Sequence, residues 1–218
     1  MEQPTSPAPA DITGVILAGG LSRRMNRQEK SFLSLGGNSL LAHVYERLLP
    51  QVGKVVLNAN GDPARFAHFD LQVIPDKRQG FLGPLAGIEG AFLSLDTDWL
   101  LSIPVDTPFF PLDLAKKMSQ STKGREVPVV AKSNSRLHPV VTLWPRAVLP
   151  KLSAALDAKQ LKLQQWFLQQ EHIKLDFACE PDGQDPFFNI NRPEDLNRAN
   201  QINNPRNSIC QHAPDATY

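Results

Sequence analysis

The sequence predicts a protein of the α/β class, with one open, mostly parallel sheet covered by helices on both faces. Short apolar runs alternate along the chain with longer segments whose apolar residues recur at helical spacing, and this alternation favours a parallel sheet. The chain has 218 residues, of which 41% are hydrophobic and 21% are charged. That length suits one domain with a sizeable core and is too short for two ordinary domains.

The strands are predicted from short apolar runs between turn signals. The first run, TGVIL, ends at an Ala-Gly-Gly turn, which is typical of a buried parallel strand. Further runs of this kind follow, and the last two are joined by a polar loop. In chain order the predicted strands span residues 13–17, 54–58, 72–75, 99–105, 127–131 and 138–143.

The helices are predicted from apolar residues three or four positions apart. One of them is entered through Gly83-Pro84, and the last has Pro193 in its first turn, a position that proline favours. The predicted helices span residues 39–49, 85–95, 112–118, 152–168 and 193–199. We expect residues 1–11 to be a disordered leader, residues 12–200 the folded domain, and residues 201–218 a disordered tail rich in Asn and Pro.

Composition narrows the class of protein. The formal net charge of +1 is far from the basic surface of a nucleic-acid binder, so small-molecule partners are expected. Cys179 and Cys210 form no C-x-x-C pair, which argues against a zinc site or disulfide framework and fits a reducing compartment. The start resembles no signal peptide, and no apolar run approaches the ~20 residues that span a bilayer. We therefore expect a cytoplasmic protein without membrane or nucleic-acid partners.

The loop after the first strand, LAGGLSRRMNRQEK (residues 17–30), is predicted to bind polyphosphate. Its two glycines allow backbone to approach a ligand, and it holds four basic residues, Arg23, Arg24, Arg27 and Lys30. It is no Walker A loop, because Glu29 stands where that motif needs Gly, and it lacks the third Gly of a dinucleotide fingerprint. The alternative is a strand-to-helix turn whose charges are solvated.

Asp106 is the candidate magnesium ligand. It ends the apolar run WLLSIPV, so it is expected at the carboxyl end of a central strand, where ligands of such sheets bind. Asp also favours helix N-caps, but the next predicted helix begins near residue 112, too far along for that role.

Several segments in order resemble the molybdenum cofactor guanylyltransferase family, one of the nucleotidyltransferases with a Rossmann-like fold of the nucleotide-diphospho-sugar transferase type. The resemblance rests on LAGG with Lys30, GPLAG at 83–87, DTP at 106–108, His138-Pro139, and NINRPEDL at 189–196. It covers about residues 12–200. Asn26 stands where the family has Gly and Glu29 where Asp is frequent; Asn tolerates a left-handed backbone and Glu keeps the charge.

The resemblance implies a set of site residues. For the catalytic group it implies Lys30, Arg24 and Asp106, with Asp106 also the metal ligand. For nucleotide binding it implies Leu17, Ala18, Gly19, Gly20, Lys30, Asn58, Asp76 and Asp106, and for acceptor contact or site support Gly83, Gly87, Asn189 and Asn191. The local alternative for Asn58 is an Asn turn, and for the two glycines it is close packing of a helix on the sheet. Asn189 and Asn191 could instead be a strand end and a helix cap. His138 is expected to be structural.

The activity that the resemblance implies is Mg²⁺-dependent transfer of GMP from GTP to the terminal phosphate of molybdopterin, with release of pyrophosphate. The acceptor phosphate has a second pKa near ~6, so it attacks without a general base. The alternatives are a cytidylyltransferase for the same cofactor, a sugar-phosphate nucleotidyltransferase, and a non-catalytic nucleotide-binding cofactor chaperone. Partners would be GTP and molybdopterin, with cofactor-delivery proteins and molybdoenzyme apoproteins left open.

Overall fold

The computed structural model describes residues 5–19, 29–80, 82–180 and 183–203. Strands of the described part are β1 (Ile12–Leu17), β2 (Ser34–Leu35), β3 (Asn38–Ser39), β4 (Lys54–Asn58), β5 (Gln72–Ile74), β6 (Trp99–Pro104), β7 (Val129–Ser133), β8 (Arg136–Pro145) and β9 (Ile173–Asp176). Its α-helices are α1 (Leu40–Leu48), α2 (Pro84–Ser94), α3 (Leu114–Thr122), α4 (Leu149–Asp157), α5 (Leu163–Gln169) and α6 (Pro193–Ile202).

Seven strands form one sheet in the order β5-β4-β1-β6-β8-β7-β9. β1 pairs in parallel with β4 and β6, β4 with β5, and β7 with β9, whereas β8 runs antiparallel to both its neighbours. A two-residue turn, Asn134 and Ser135, joins β7 to β8, and both residues have positive φ, as a type I′ hairpin requires. The predicted fold class is confirmed.

Two cores lie on the two faces of the seven-stranded sheet, because alternate residues of most of its strands point to opposite faces. The first core joins the sheet to α1 and α3; Ile16 and Met118 are among its residues. The second core joins it to α2, α4 and α5; Val15 and Trp144 are among its residues. A smaller cluster holds the β2–β3 hairpin against α6. This gives three layers, with the carboxyl ends of the parallel strands left open at one edge.

The structure contains the predicted elements, and most of their ends differ from the prediction by a few residues. The exception is residues 152–168, which form two helices instead of one. α4 ends at Asp157, and Lys159 has a left-handed φ of 55° before α5 begins at Leu163. Both helices bury their apolar residues in the second core, so the combined spacing imitated one long amphipathic helix. β9 and the β2–β3 hairpin were not predicted, because these strands have two to four residues and carry little periodicity.

The start of the chain differs from the predicted disordered leader. Residues 9–11 form a 3-10 turn, Pro7 is buried, and its carbonyl oxygen accepts a hydrogen bond from Ser119 Oγ. Gly53 fits because it lacks a Cβ, which would lie 1.9 Å from the Ala10 carbonyl oxygen. Backbone contacts of this kind leave no trace in composition. Residues 1–4 and 204–218 lie outside the described residues, so the disordered tail stays a prediction, although α6 extends to Ile202.

Among the described helices, none combines the length and the apolar character that a bilayer crossing requires.

Candidate active site

A cavity of about 580 Å³ opens at the edge of the sheet where the parallel strands end. Its volume lies in the range of small-molecule sites. Loops after β1, β4, β5 and β6 surround one half, and the start of β8 with residues 185–188 surrounds the other. Most of the residues predicted from the sequence line it, namely Leu17, Ala18, Gly19, Lys30, Asn58, Asp76, Gly83, Asp106, Asn189 and Asn191.

Lys30 and Asp106 form the centre of the cavity. Lys30 Nζ lies 2.6 Å from Asp106 Oδ2 and donates to Asn191 Oδ1 at 2.6 Å. Asn189 Nδ2 donates to the other carboxylate oxygen, Oδ1, at 2.9 Å and to Thr107 Oγ1 at 3.0 Å. The side chains of Lys30 and Asp106 are 20% and 15% exposed. A cation and a carboxylate are thus held side by side at the centre of the cavity.

The backbone fixes the position of this pair. The Val105 amide donates to the Leu17 carbonyl at 3.1 Å, so the β1–β6 pairing continues into the loop that carries Asp106. The Ile190 amide donates to the Asp106 carbonyl at 2.8 Å, which places the NIN segment beside it. Asp106 therefore sits at the end of a central strand, as predicted, with two chain segments holding it.

Asp76 organises the half of the cavity that lies at the ends of β4 and β5. Its carboxylate accepts from Asn58 Nδ2 at 3.0 Å and from Asn60 Nδ2 at 2.8 Å, while its amide donates to Asn60 Oδ1 at 2.9 Å. Asn58 also donates to the Ile74 carbonyl at 3.0 Å and is buried. These bonds fix the orientation of both asparagine side chains at the ends of β4 and β5.

The two glycines of the GPLAG segment have different surroundings. Gly83 lines the cavity, has a φ of 75° and precedes α2. Gly87 lies within α2, and a Cβ there would be 2.3 Å from Asn58 Oδ1 and 2.9 Å from Leu17 Cδ2. Gly87 therefore lets α2 pack closely on β1 and β4 beneath the site, while Gly83 faces it.

The other half of the cavity, at the start of β8, contains a chain of hydrogen bonds between Ser133, His138 and Asp185. Ser133 Oγ lies 2.7 Å from His138 Nε2 and donates to Asp185 Oδ1 at 2.7 Å. Since the hydroxyl proton goes to the carboxylate, Ser133 accepts from His138, which fixes the Nε2–H tautomer. The serine is buried and bonded on both sides. This order, with serine in the middle, is unlike a hydrolase triad, where histidine takes the proton of the serine nucleophile.

Burial lowers the pKa of His138 below its ordinary value; the Asp185 carboxylate opposes this shift and Arg136 adds to it. His138 is therefore neutral at pH 7. Its ring also packs on Phe187, with centroids 4.8 Å apart. The histidine lines the cavity while its Nε2 is committed to Ser133, so the expectation of a structural role agrees with these contacts.

Several residues of this site were not given a role by the sequence analysis, namely Asn60, Thr107, Ser133, Arg136 and Asp185. Asn60 could have been found from the sequence, because it lies two positions after Asn58, and in an extended chain such residues point to the same side. Ser133 and Asp185 are 52 residues apart, and a pairing at that separation has no signal in a single sequence. The predicted Gly20 and Arg24 lie outside the described residues, as do Arg23, Asn26 and Arg27.

The donors at the centre of the cavity fit a magnesium ion. Asp106 Oδ2 and Asn191 Oδ1 converge on one ammonium nitrogen, which shows two hard oxygens directed at one cation. Mg²⁺ is typically bound by one or two carboxylates together with phosphate oxygens and water. Within the described part of the chain, no group of three or more His, Cys, Asp or Glu could hold a metal. The residues suit a metal that arrives with a phosphate ligand.

Comparison with known proteins gives consistent matches. The model of the MobA-like NTP transferase domain matches residues 14–173. A molybdenum cofactor guanylyltransferase of Rhodopseudomonas palustris (strain BisB5) is 40% identical over 208 residues, which cover 92% of this chain and 95% of that protein. One of Rhizobium meliloti (strain 1021) is 42% identical over 205 residues, covering 88% and 93%.

Solved structures share the fold. A molybdopterin-guanine dinucleotide biosynthesis protein A from Archaeoglobus fulgidus superposes with a TM-score of 0.73 at 22% identity, covering 87% of this chain and 97% of that one. A CMP:2-keto-3-deoxy-manno-octonic acid synthetase superposes with a TM-score of 0.67 at 15% identity, covering 88% and 96%. At these identities the superpositions establish the fold alone.

The parallel sheet, with its cavity at the strand ends and its paired lysine and aspartate, defines a nucleotidyltransferase. More narrowly, the match over residues 14–173 and the identities of about 40% place the chain in the MobA-like NTP transferase family. The resemblance found in the sequence is thereby confirmed.

Proposed function

We propose that this protein transfers GMP from GTP to the terminal phosphate of molybdopterin, forming the guanine dinucleotide cofactor and pyrophosphate. The observation that supports it most is the position of Lys30 and Asp106, which lie together between the two halves of one cavity. Relatives at 40% and 42% identity are named molybdenum cofactor guanylyltransferases. A binding protein without chemistry would need neither charged residue at that point.

In this proposal the nucleotide lies in the half bounded by β1, β4 and β5. The backbone of Leu17, Ala18 and Gly19 holds it, and Gly19 has no side chain to separate its backbone from the ligand. Asn58 and Asp76 are fixed by their mutual hydrogen bond, so they meet the nucleotide without reorganising. Gly20 and Arg24 remain proposed as further contacts.

Asp106, with Asn189 and Asn191 beside it, would hold Mg²⁺, and the ion supplies charge neutralisation at the phosphates when bound. Lys30 then turns from Asp106 to the α-phosphate and the leaving pyrophosphate, where it stabilises the charge of the transition state. The lysine needs only to exchange one anionic partner for another, because it already lies within hydrogen-bond distance of the carboxylate.

The reaction is an in-line displacement at the α-phosphate. The acceptor phosphate is largely dianionic at neutral pH, so the protein has to align two anions and needs no general base. That agrees with the site, where Ser133 is already bonded to Asp185 and His138 is bonded to Ser133. We propose the same partners, GTP and molybdopterin, and a cytoplasmic location; protein partners for cofactor delivery stay open.

Pyrophosphate release tests this proposal. The purified protein is given Mg²⁺ and molybdopterin with GTP, CTP, ATP or UTP in turn, and we expect release with GTP alone. Asp106→Ala should abolish turnover, because the ligand of the metal is lost, whereas Asp113→Ala should not, since Asp113 is an exposed acid paired with Lys117. If the protein prefers CTP, the proposed mechanism stands, but the transferred nucleotide is CMP and not GMP. Full activity of Asp106→Ala would remove the role of Asp106.

A further inference from the structure

The half of the cavity at the start of β8, called here the acceptor half, has the character of a site for a flat heterocycle. Its wall combines the apolar side chains of Val140, Val141, Phe187 and Phe188 with one carboxylate, Asp185, whose side chain is 25% exposed. Sites for small organic ligands are built in this way, with apolar walls and few fixed polar groups. Arg136 and His138 also line this half, and Asp185 is the carboxylate among its polar groups.

The Asp185 carboxylate is held in one orientation by its Oδ1 atom. Oδ1 accepts from Ser133 Oγ at 2.7 Å and from the Phe187 amide at 2.8 Å. Two donors fill its lone pairs, so rotation of the carboxylate would break both bonds. The serine is itself held by His138, which is neutral and cannot compensate the carboxylate charge.

The second oxygen, Oδ2, has a different environment. Its contact with His138 Nε2 is 4.0 Å, beyond hydrogen-bond distance, and no residue of the described ranges donates to it. An oriented carboxylate with one acceptor atom left open accepts strongly from an N–H donor of a ligand, because charge-assisted bonds exceed neutral ones. The Asp185 side chain is thus preorganised for a donor on the ligand.

The distance from Asp185 to the reacting centre suits one acceptor molecule. Asp185 and Asn189 are four residues apart, so they lie at most about 14 Å from each other. The Phe188 amide bonds to the Asp185 carbonyl at 3.0 Å, which shortens the span further. Since Asn189 bonds Asp106, an acceptor can place one end at Asp185 and its phosphate at Asp106.

We propose that Asp185 selects the acceptor by its pterin ring: Oδ2 accepts a hydrogen bond from the 2-amino group, with Ser133 and the Phe187 amide positioning the carboxylate. This inference rests on the proposed function, because the pterin is part of the acceptor named there. The 2-amino group is the donor that a pterin has and a lumazine lacks, since lumazine carries a carbonyl oxygen at that position. A carbonyl oxygen facing Oδ2 would be repelled.

The test compares pterin with lumazine as competitors of molybdopterin. The wild-type protein should bind pterin at least ~10-fold more tightly than lumazine, as expected for a hydrogen bond to a charged group. In Asp185→Asn, Oδ1 still accepts from Ser133 and Phe187, so the amide NH₂ faces the ligand and opposes its amino group. We expect the preference for pterin to disappear and KM for molybdopterin to rise ~10- to 100-fold, with KM for GTP unchanged.

Two further variants separate recognition from folding. Asp176→Asn makes the same chemical change at an exposed carboxylate of β9 that pairs with Lys132, and it should behave as wild type. Ser133→Ala removes one of the two donors to Oδ1, so the pterin preference should shrink without vanishing. Binding of pterin alone, followed by its fluorescence, requires no turnover.

The outcomes also separate the two proposals. If the wild type makes product from molybdopterin but shows no pterin preference, or if Asp185→Asn keeps that preference, the assignment of Asp185 is wrong while the proposed function stands. If the wild type neither binds pterin nor releases pyrophosphate with molybdopterin, both are wrong, and sugar phosphates become the acceptors to examine.

Discussion

At the scale of single residues, Lys30 has the most demanding position. Its ammonium bridges a carboxylate and an amide oxygen, each at 2.6 Å, and it remains one-fifth exposed to the cavity. An ion pair at this depth contributes little to stability, because solvent still screens it. In the proposed function, this pairing holds the ammonium group of Lys30 at the place where the phosphates of the nucleotide would bind.

Replacement of Lys30 by Ala should therefore affect rate far more than stability. We expect kcat to fall by ~10²–10³, as removal of one donor to a developing oxyanion does, with the melting temperature nearly unchanged. Steady-state kinetics on Lys30→Ala checks this, with Lys54→Ala as control, since Lys54 is exposed at the start of β4 and donates to Gln72. An unchanged kcat would make Lys30 a surface charge.

At the scale of elements, Arg78 ties α2 to α4. Its Nε and Nη2 donate to the two carboxylate oxygens of Glu89 at 2.7 and 2.8 Å, and its Nη1 donates to Asp157 at 2.5 Å. Glu89 is 2% exposed, so it depends on this partner, and the hydrogen bond from Arg78 holds the pKa of Glu89 below its ordinary value. The ion pair between Arg78 and Glu89 thus holds the loop between β5 and α2 against α2.

Glu89→Gln should destabilise the protein by about 2–4 kcal/mol at pH 7, because Arg78 loses its buried two-oxygen carboxylate partner and keeps only the ion pair with the exposed Asp157. A carboxylate with a lowered pKa stabilises the fold fully above its unfolded pKa and loses that contribution as pH falls through the folded value. The difference between wild type and variant should therefore narrow below about pH 4.

Urea unfolding at several pH values measures this difference. Asp157→Asn is the matched control: Asp157 bonds the same arginine but is 69% exposed, so its loss should cost less than about 1 kcal/mol. A Glu89→Gln penalty that stays constant down to pH 3 would contradict the argument.

The elements also show how far a sequence can be interpreted alone. Buried parallel strands are continuous apolar runs, so the sequence predicted β1, β4 and β6 closely. The position of Asp106 could be predicted because it directly follows the run that forms β6. The gap between α4 and α5 was missed because both helices face one core. Asp185 was missed because its partner Ser133 is 52 residues away, on a strand that pairs with β9, and β9 was itself not predicted.

At the scale of the whole molecule, the two cores share six of the seven strands of the central sheet, and the edge strand β9 contributes to the first core. A strand that lost its contacts on one face would expose residues of both cores, so the domain should unfold as one cooperative unit. The three tryptophans of the chain report on both faces: Trp99 packs against the first core, and Trp144 and Trp166 lie in the second.

Denaturant curves should give one midpoint for both faces. The variant Trp99→Phe leaves fluorescence from the second core only, and the double variant Trp144→Phe/Trp166→Phe leaves it from the first. Within each variant, the fluorescence midpoint should coincide with that of far-UV circular dichroism. Separate midpoints would mean that one layer opens before the other, which is common in proteins above about 150 residues.

The reversed direction of β8 has a consequence for how such proteins diversify. In the proposed function the nucleotide meets loops that follow strand ends, whereas the acceptor meets the start of a strand just after the hairpin at Asn134 and Ser135. A hairpin tip tolerates exchange and insertion more readily than the segments inside a sheet. Selection can therefore rework the acceptor side while β1, β4 and β6 stay in place, so one nucleotide chemistry can serve many acceptors.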